Sequence, residues 1–338
     1  MSTRVSVKAP AAVRELDYGS AINEAFTQLL ERDPSVLLIG QGLHSPWYVG
    51  SSMVALEKKF GLDRVIDTPV SENGVTGIAI GAAMAGMHPV VIHPRMDFMV
   101  LATDQILNQA AKAHYMFGGA VHVPMVVRGI INRGGEQAAQ HSQALQSHYM
   151  HIPGLKVVMP STAYDAKGLL ISSVYDGNPV IYIDDRWLYS NKDPVPEEFY
   201  KVPIGKGAIR RKGNDVTIVA TSYMNVEALS AARTLAEEAI EAEVIDLRTV
   251  KPIDEELIYE SIAKTGRLVV ADAAWRTCGA AAEISALVAE NAFGHLKAPI
   301  QRVTLAEAPA PSSSPLEKAY YPWAADVANA VRRTTGYS

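Results

Sequence analysis

Residues 67–92 read DTPVSENGVTGIAIGAAMAGMHPVVI. A polar turn, Asp67–Gly74, hands over to a small-residue segment, Val75–Ala85, whose alanines and glycines suit a closely packed helix. A β-branched run, Val90–Ile92, follows as a buried strand. Working outward, the same alternation recurs. Strands are expected at Val36–Ile39, Met125–Val127, Val157–Met159 and Val180–Ile183, and helices at Ser20–Glu31, Ser52–Phe60, Phe98–Tyr115 and Ala163–Val174. Strand then helix, repeated, implies a parallel sheet covered on both faces by helices.

The segment 189–203, YSNKDPVPEEFYKVP, breaks this rhythm with three prolines and mixed charge, and places a linker at 191–203. Strands are then expected at Val216–Ala220, Glu243–Asp246, Leu268–Ala271 and Gln301–Thr304, with helices at Val226–Glu237, Glu255–Lys264, Ala280–Glu290 and Trp323–Arg332. The reading is two α/β domains, 1–190 and 204–338. A length of 338 residues agrees, at about 150 residues per domain.

Composition narrows the function. Apolar residues make up 48% and charged residues 20%, so sizeable cores are available. The net charge of −5, with no long basic run, argues against nucleic acid or an anionic membrane surface as partner. The single cysteine, Cys278, excludes intrachain disulfides and a cysteine-rich zinc site. The polar stretch Met1–Glu15 carries no apolar signal core and no window suits a membrane span, so a soluble cytoplasmic protein is expected.

Common nucleotide and hydrolase motifs are missing. Gly40 and Gly42 are followed by Ser45, and Gly205 and Gly207 by Arg210, where a dinucleotide fingerprint needs a third glycine. Gly205-Lys206 lacks the first glycine of a P-loop, and neither HExxH nor GxSxG occurs.

Three segments are unusual for plain scaffold. Glu72 sits where a strand hands over to a helix, the end of an open α/β sheet where ligands bind. Ser71 as a helix cap and Glu72 as a dipole complement account for the same residues. The segment Asp97–Lys112 pairs an apolar face with one of carboxamides and charges. The loop Gly129–Gln143 is long, polar and glycine-containing, and ends in His141. Eight of the nine histidines lie between His44 and His151, which points to proton transfer or anion handling in the first domain.

Seven blocks in order carry a resemblance: DTPVSENGVTGIAIGAAMAG (67–86), DQILNQAAKAHYMFGG (104–119), QHSQ (140–143), HIPGLKVVMPSTAYDAKGLL (151–170), DVTIVATSYM (215–224), EVIDLRTVKPID (243–254) and KTGRLVVAD (264–272). From Tyr18 to the last helix the chain resembles the beta subunit of a thiamine-diphosphate-dependent 2-oxo acid dehydrogenase, closest to the pyruvate and acetoin branch. The resemblance implies two three-layer α/β/α domains, a transketolase-like pyrimidine-binding domain and a transketolase C-terminal-like domain.

Family roles then fall on matching positions. Glu72 matches the glutamate that contacts the aminopyrimidine and shares a proton with it. Phe98 matches the aromatic that packs on that ring, with Leu101 close by in the same cofactor-facing segment. His141 matches the histidine facing the substrate and the lipoyl arm. A structural potassium ion would fall at Met125, Ser173, Val174, Asp176 and Asn178. No GDG motif for the diphosphate and Mg²⁺ is present. The resemblance therefore implies a separate alpha-type chain holding that half of the cofactor and its Mg²⁺ in an α₂β₂ heterotetramer, and a lipoyl acyltransferase as acceptor. Met84, Met87, Met96 and Met99 are candidates for the apolar interfaces this requires, or for core filling.

Departures cluster on the substrate side. His44 follows Gly40-Gln41-Gly42-Leu43 where relatives carry an acidic pair. His93-Pro94-Arg95-Met96 replaces a segment with aromatics, Leu101 a glutamine, and His148 a tryptophan. His44, His93, Arg95 and His148 are thus candidates to receive the donor. They motivate an alternative, a split transketolase-like carboligase that moves a two-carbon ketol unit from a ketose phosphate. A third possibility is a cofactor-less assembly subunit.

Overall fold

The computed structural model describes residues 14–336, so nearly all of the polar N-terminal stretch and the last two residues lie outside it. Its strands are β1 (Glu15–Asp17), β2 (Val36–Gly40), β3 (Val65–Asp67), β4 (His88–His93), β5 (Val126–Ile131), β6 (Lys156–Val158), β7 (Val180–Asp185), β8 (Lys192–Pro194), β9 (Ala208–Arg211), β10 (Val216–Ala220), β11 (Ala242–Asp246), β12 (Thr249–Lys251), β13 (Leu268–Trp275) and β14 (Gln301–Leu305).

The first sheet has the order β12-β6-β7-β5-β4-β2-β3, parallel throughout except that β12 runs antiparallel to β6. Its central strands β5 and β7 are buried along their whole length, as strands covered on both faces must be. Side chains alternate between two cores. Val90 and Ile92 join the helices Tyr18–Arg32 and Ala163–Val174, whereas Val91 joins the helix Glu72–Met84 on the other face. The second sheet has the order β14-β13-β10-β11-β9, with only β9 antiparallel.

The two halves are interlocked. β12 follows β11 in sequence yet pairs with β6 of the first sheet. Asp165, fully buried on the helix Ala163–Val174, receives Arg248 Nη1 at 3.1 Å and also pairs with Arg210, which in turn holds Asp246 at 2.8 Å. The expected linker is docked rather than free. β8 pairs antiparallel with β1, and Val195 and Val202 are buried in the first core.

Two helices expected from sequence are broken. Ser52–Phe60 is a 3₁₀ turn, Gly50–Met53, then a short helix, Leu56–Phe60, parted by Ala55 in the left-handed conformation (φ 62°). Phe98–Tyr115 becomes a 3₁₀ turn (Met96–Ala102), a π-helical turn (Gln105–Ala110) and an α-helical end (Ala111–Met116). In the first of these, Met96 and Met99 point into the core rather than to an interface. Met99 Sδ fills the space where a Cβ on Gly129 would stand, at 2.2 Å. Met84 is exposed.

A buried ion pair ties the centre of the first sheet together. Arg128 on β5 donates through Nε and Nη2 to the two oxygens of Asp184 on β7, each at 2.9 Å, and through Nη2 to Tyr189 Oη at 2.8 Å and Ser52 Oγ at 3.0 Å. Both charged side chains are fully buried. Arg128→Met strands the Asp184 carboxylate, and a loss of about 3–5 kcal/mol in urea unfolding is expected. A loss under about 1 kcal/mol would show that the pair contributes little.

Candidate active site

The chain leaves β2 for β3 on one side, then returns to β4 on the other. The gap between β2 and β4 at their C-terminal ends is therefore the topological switch point, where open α/β sheets bind ligands. Glu72 lies there. It opens the helix Glu72–Met84, is 8% exposed, and lines a recess with Gly40, Gln41, Thr68, Pro69 and His93. Gly40 is required, because a Cβ there would meet the Ile92 carbonyl oxygen at 2.3 Å. Ser71 occupies the N-cap position, but its side chain makes no capping bond. The capping explanation of this segment accounts for Ser71's place and not for its hydroxyl.

Three side-chain atoms buried around this recess have no hydrogen-bond partner: Gln41 Oε1, Thr68 Oγ1 and His93 Nε2. Orphaned polar atoms are costly unless something else satisfies them. The enclosed space is only about 10 Å³, roughly room for one water. A larger ligand would have to lie over the mouth of this recess.

His93 is 4% exposed, and burial pushes its imidazole down to about 4 from 6.5. The unfolded chain therefore takes up this proton first as pH falls. Stability from neutral His93 is full above 6.5 and is lost toward 4, by up to roughly 3 kcal/mol. His93→Phe is expected to remove that part of the acid-side loss. Urea midpoints near pH 7 and pH 5 that move equally in both proteins would contradict it.

Phe98 stands on a turn beside the same helix, and His141 meets Phe98. The turn Met96–Ala102 packs against Glu72–Met84. The His141 ring stands edge-on to Phe98, with centroids 5.3 Å apart. The contact is fixed from beneath by Asp97, which accepts from both the backbone N–H (3.1 Å) and Nε2 (2.8 Å) of Gln143. Leu145 N–H reaches Met96 Sδ at 3.4 Å. Burial raises the Asp97 carboxyl above the usual range, an effect the Gln143 bonds oppose.

The other candidates lie apart from one another. His44 bonds the Val65 carbonyl at 3.1 Å, with Nδ1 3.9 Å from Asp67. Arg95 is buried and donates to the carbonyls of Pro94 (2.9 Å) and Tyr48 (3.4 Å). His148 lines a cavity at the seam between the halves with His151, Trp275 and Cys278. Leu101 is 60% exposed. Of the eight clustered histidines, His93 lines the Glu72 recess and His141 meets Phe98. His88 bonds Ser35 and Asp33, and the His114 ring lies tilted against His122. Sequence reasoning missed Gln41, Thr68 and Asp97 as parts of the site. The only signals were their places beside Gly40, before Ser71 and beside Phe98.

Near the suggested potassium positions, the Met125 carbonyl accepts from Val180 N–H at 3.0 Å, and Ser173 Oγ donates to the Leu169 carbonyl at 2.7 Å. Val174 is buried core. Asp176 Oδ1 and Asn178 Oδ1 are buried without a donor, while Asp176 Oδ2 takes Lys156 Nζ at 2.6 Å. Among the described residues, no cluster of three or more His, Cys, Asp or Glu is arranged to hold a metal ion. No helix there is long and apolar enough to cross a membrane.

The fold and the switch-point site define a transketolase-type protein. Residues 14–191 match the family profile of the transketolase pyrimidine-binding domain, and residues 205–327 that of the transketolase C-terminal domain. A solved split-gene transketolase, an inactive beta4 tetramer, shares the fold with a TM-score of 0.77 at 23% identity, over 95% of this chain and 99% of that one. Over 331 residues the chain is 47% identical to the acetoin:2,6-dichlorophenolindophenol oxidoreductase subunit beta of Cupriavidus necator, covering 95% of this chain and 98% of the relative. It is 43% identical to the pyruvate dehydrogenase E1 component subunit beta of Dictyostelium discoideum, covering 96% and 92%. The chain belongs to the family of beta subunits of thiamine-diphosphate-dependent 2-oxo acid dehydrogenases.

Proposed function

We propose that this chain is the beta subunit of an enzyme of the pyruvate and acetoin branch that decarboxylates a 2-oxo acid and passes the acyl group to a lipoyl carrier. The observation that carries the reading is the buried Glu72 at the sheet's switch point, beside unsatisfied polar atoms, with the turn that carries Phe98 packed on its helix and His141 against Phe98. These residues fit the pyrimidine half of thiamine diphosphate. When bound, that cofactor supplies the electron sink that decarboxylation requires. Glu72 would hold a proton at its carboxyl against the pyrimidine, Phe98 would pack on the ring, and His141 would donate a hydrogen bond or proton to the substrate.

The small recess and the missing GDG motif support a partner. An alpha-type chain would bring the diphosphate, with its Mg²⁺, over the mouth, as an α₂β₂ assembly. Val70, Ile78, Leu101, Tyr115, Met116 and Phe117 are exposed on and beside the elements that carry the site. Such apolar side chains suit an interface. The assembled pair with thiamine diphosphate and Mg²⁺ should reduce a dye with a 2-oxo acid or acetoin as donor. Silence with every such donor would overturn the proposal, and turnover of a ketose phosphate without a lipoyl acceptor would replace it with the carboligase.

The orphaned oxygens of Asp176 and Asn178 support a structural cation beside Met125, Ser173 and Val174. Potassium is expected to raise the melting temperature by a few degrees over choline, and Asp176→Ala to abolish the rise. Equal melting in the two salts would remove the site.

A further inference from the structure

The loop that carries His141 is bent into an unfavourable shape. Gly134 (φ 83°), Gly135 (φ 65°), Glu136 (φ 63°) and Ala138 (φ 61°) all adopt left-handed backbone. Two of them carry a Cβ that this conformation disfavours, and such a shape persists only where the surroundings impose it. Toward the end of the loop, Gln143 is tied to Asp97. Its beginning is restrained by Asn132 Nδ2, which donates to Gln137 Oε1 at 2.9 Å, and by contacts to both halves of the chain.

Arg133 is buried. Its Nη2 lies 2.7 Å from Asp185 Oδ2, its Nη1 donates to the Ala273 carbonyl at 3.3 Å, and its guanidinium faces the rings of Trp187 and Tyr321 at 5.5 and 5.7 Å. Three residues on, the contacts are reciprocal. Glu136 N–H donates to Glu317 Oε2 at 3.1 Å, and Glu136 Oε1 accepts from Ser314 N–H at 3.0 Å. Glu317 is 6% exposed on the helix Ser314–Tyr320, and its Oε1 has no partner. Its carboxylate is thus aimed at a strained peptide five residues before His141.

We infer that Glu317 is a positioning residue for His141, acting through the Glu136 amide to hold the loop in the shape that sets the imidazole against Phe98. The inference rests on the proposed function for its catalytic consequence but not for its geometry. Orientation of an acid–base group to within about an ångström governs rate strongly. The clamp would therefore show in kcat more than in KM or in cofactor affinity.

The test uses the assembled enzyme. Glu317→Ala is expected to lower kcat about 10–100-fold with KM for the 2-oxo acid changed less than about threefold. Glu317→Gln, which keeps an acceptor oxygen, is expected to recover most of the loss. In a His141→Ala background, Glu317→Ala should cost little more, because the two residues act through one group. Two readouts do not need turnover: hydrogen exchange of the amides of 134–141 should quicken at least tenfold, and carbethoxylation of His141 should change rate severalfold. If Glu317→Ala does not assemble, Glu317→Asp, which draws the carboxylate back from the Glu136 amide by one methylene, serves the same comparisons. Full kcat with a loosened loop, or unchanged exchange, or fully additive losses would each overturn the inference. A wild-type enzyme inactive on every 2-oxo acid would instead overturn the proposed function, leaving the exchange and carbethoxylation results to judge the clamp.

Discussion

Glu72→Gln is expected to lower kcat of the assembled enzyme by about 10²–10⁴-fold, the usual weight of a positioned acid–base group. The amide has nearly the same shape, so the recess with Gln41, Thr68 and His93 should keep its form. It cannot exchange a proton with a ring nitrogen, so the chemical step alone should suffer. The helix Glu72–Met84 loses a favourable charge in its first turn, a cost of about 0.3–1 kcal/mol. Steady-state kinetics beside a thermal melt check both halves. A kcat within tenfold of wild type would remove Glu72 from the chemistry, and a large fall in melting temperature would return it to a structural role.

His141→Ala should cost about 10²–10³-fold in turnover while leaving thiamine diphosphate binding, read by calorimetry, nearly unchanged. The separation follows from placement: His141 packs on Phe98 and is not among the residues that line the Glu72 recess. Loss of the ring also removes an aromatic contact worth about 0.5–1.5 kcal/mol. His141→Asn, which keeps a donor but also lacks the ring, separates hydrogen bonding from that contact.

The elements most visible in the sequence are those with one strong local signal. Val180–Ile183 and Val216–Ala220 are β-branched runs and form fully buried strands, and Ala163–Val174 is a helix with the limits its pattern implies. Segments governed by distant partners were not visible. Ala55 turns left-handed where Asn23 Nδ2 holds the neighbouring Val54 carbonyl at 3.1 Å. The helix through Phe98 breaks where Met99 fits against Gly129. The short strands β3, β9 and β12 exist through pairing rather than composition.

The site divides the same way. Glu72 and His141 stand in blocks that carry the resemblance, and Phe98 lies between two of them. The orphaned atoms of Gln41 and Thr68, and the tie from Asp97 to Gln143, depend on three-dimensional neighbours no single stretch reveals. His44, Arg95 and His148 share an unusual identity with His93 without sharing its place.

The excursion of β12 has a consequence for biosynthesis. On the ribosome the first half is complete some fifty residues before Thr249–Lys251 emerges. Through that interval β6 borders a bare margin with unclaimed amides and carbonyls, open to any extended peptide nearby. The nascent chain is therefore most exposed to mispairing midway through its synthesis, and severing it near residue 200 would make that transient state permanent.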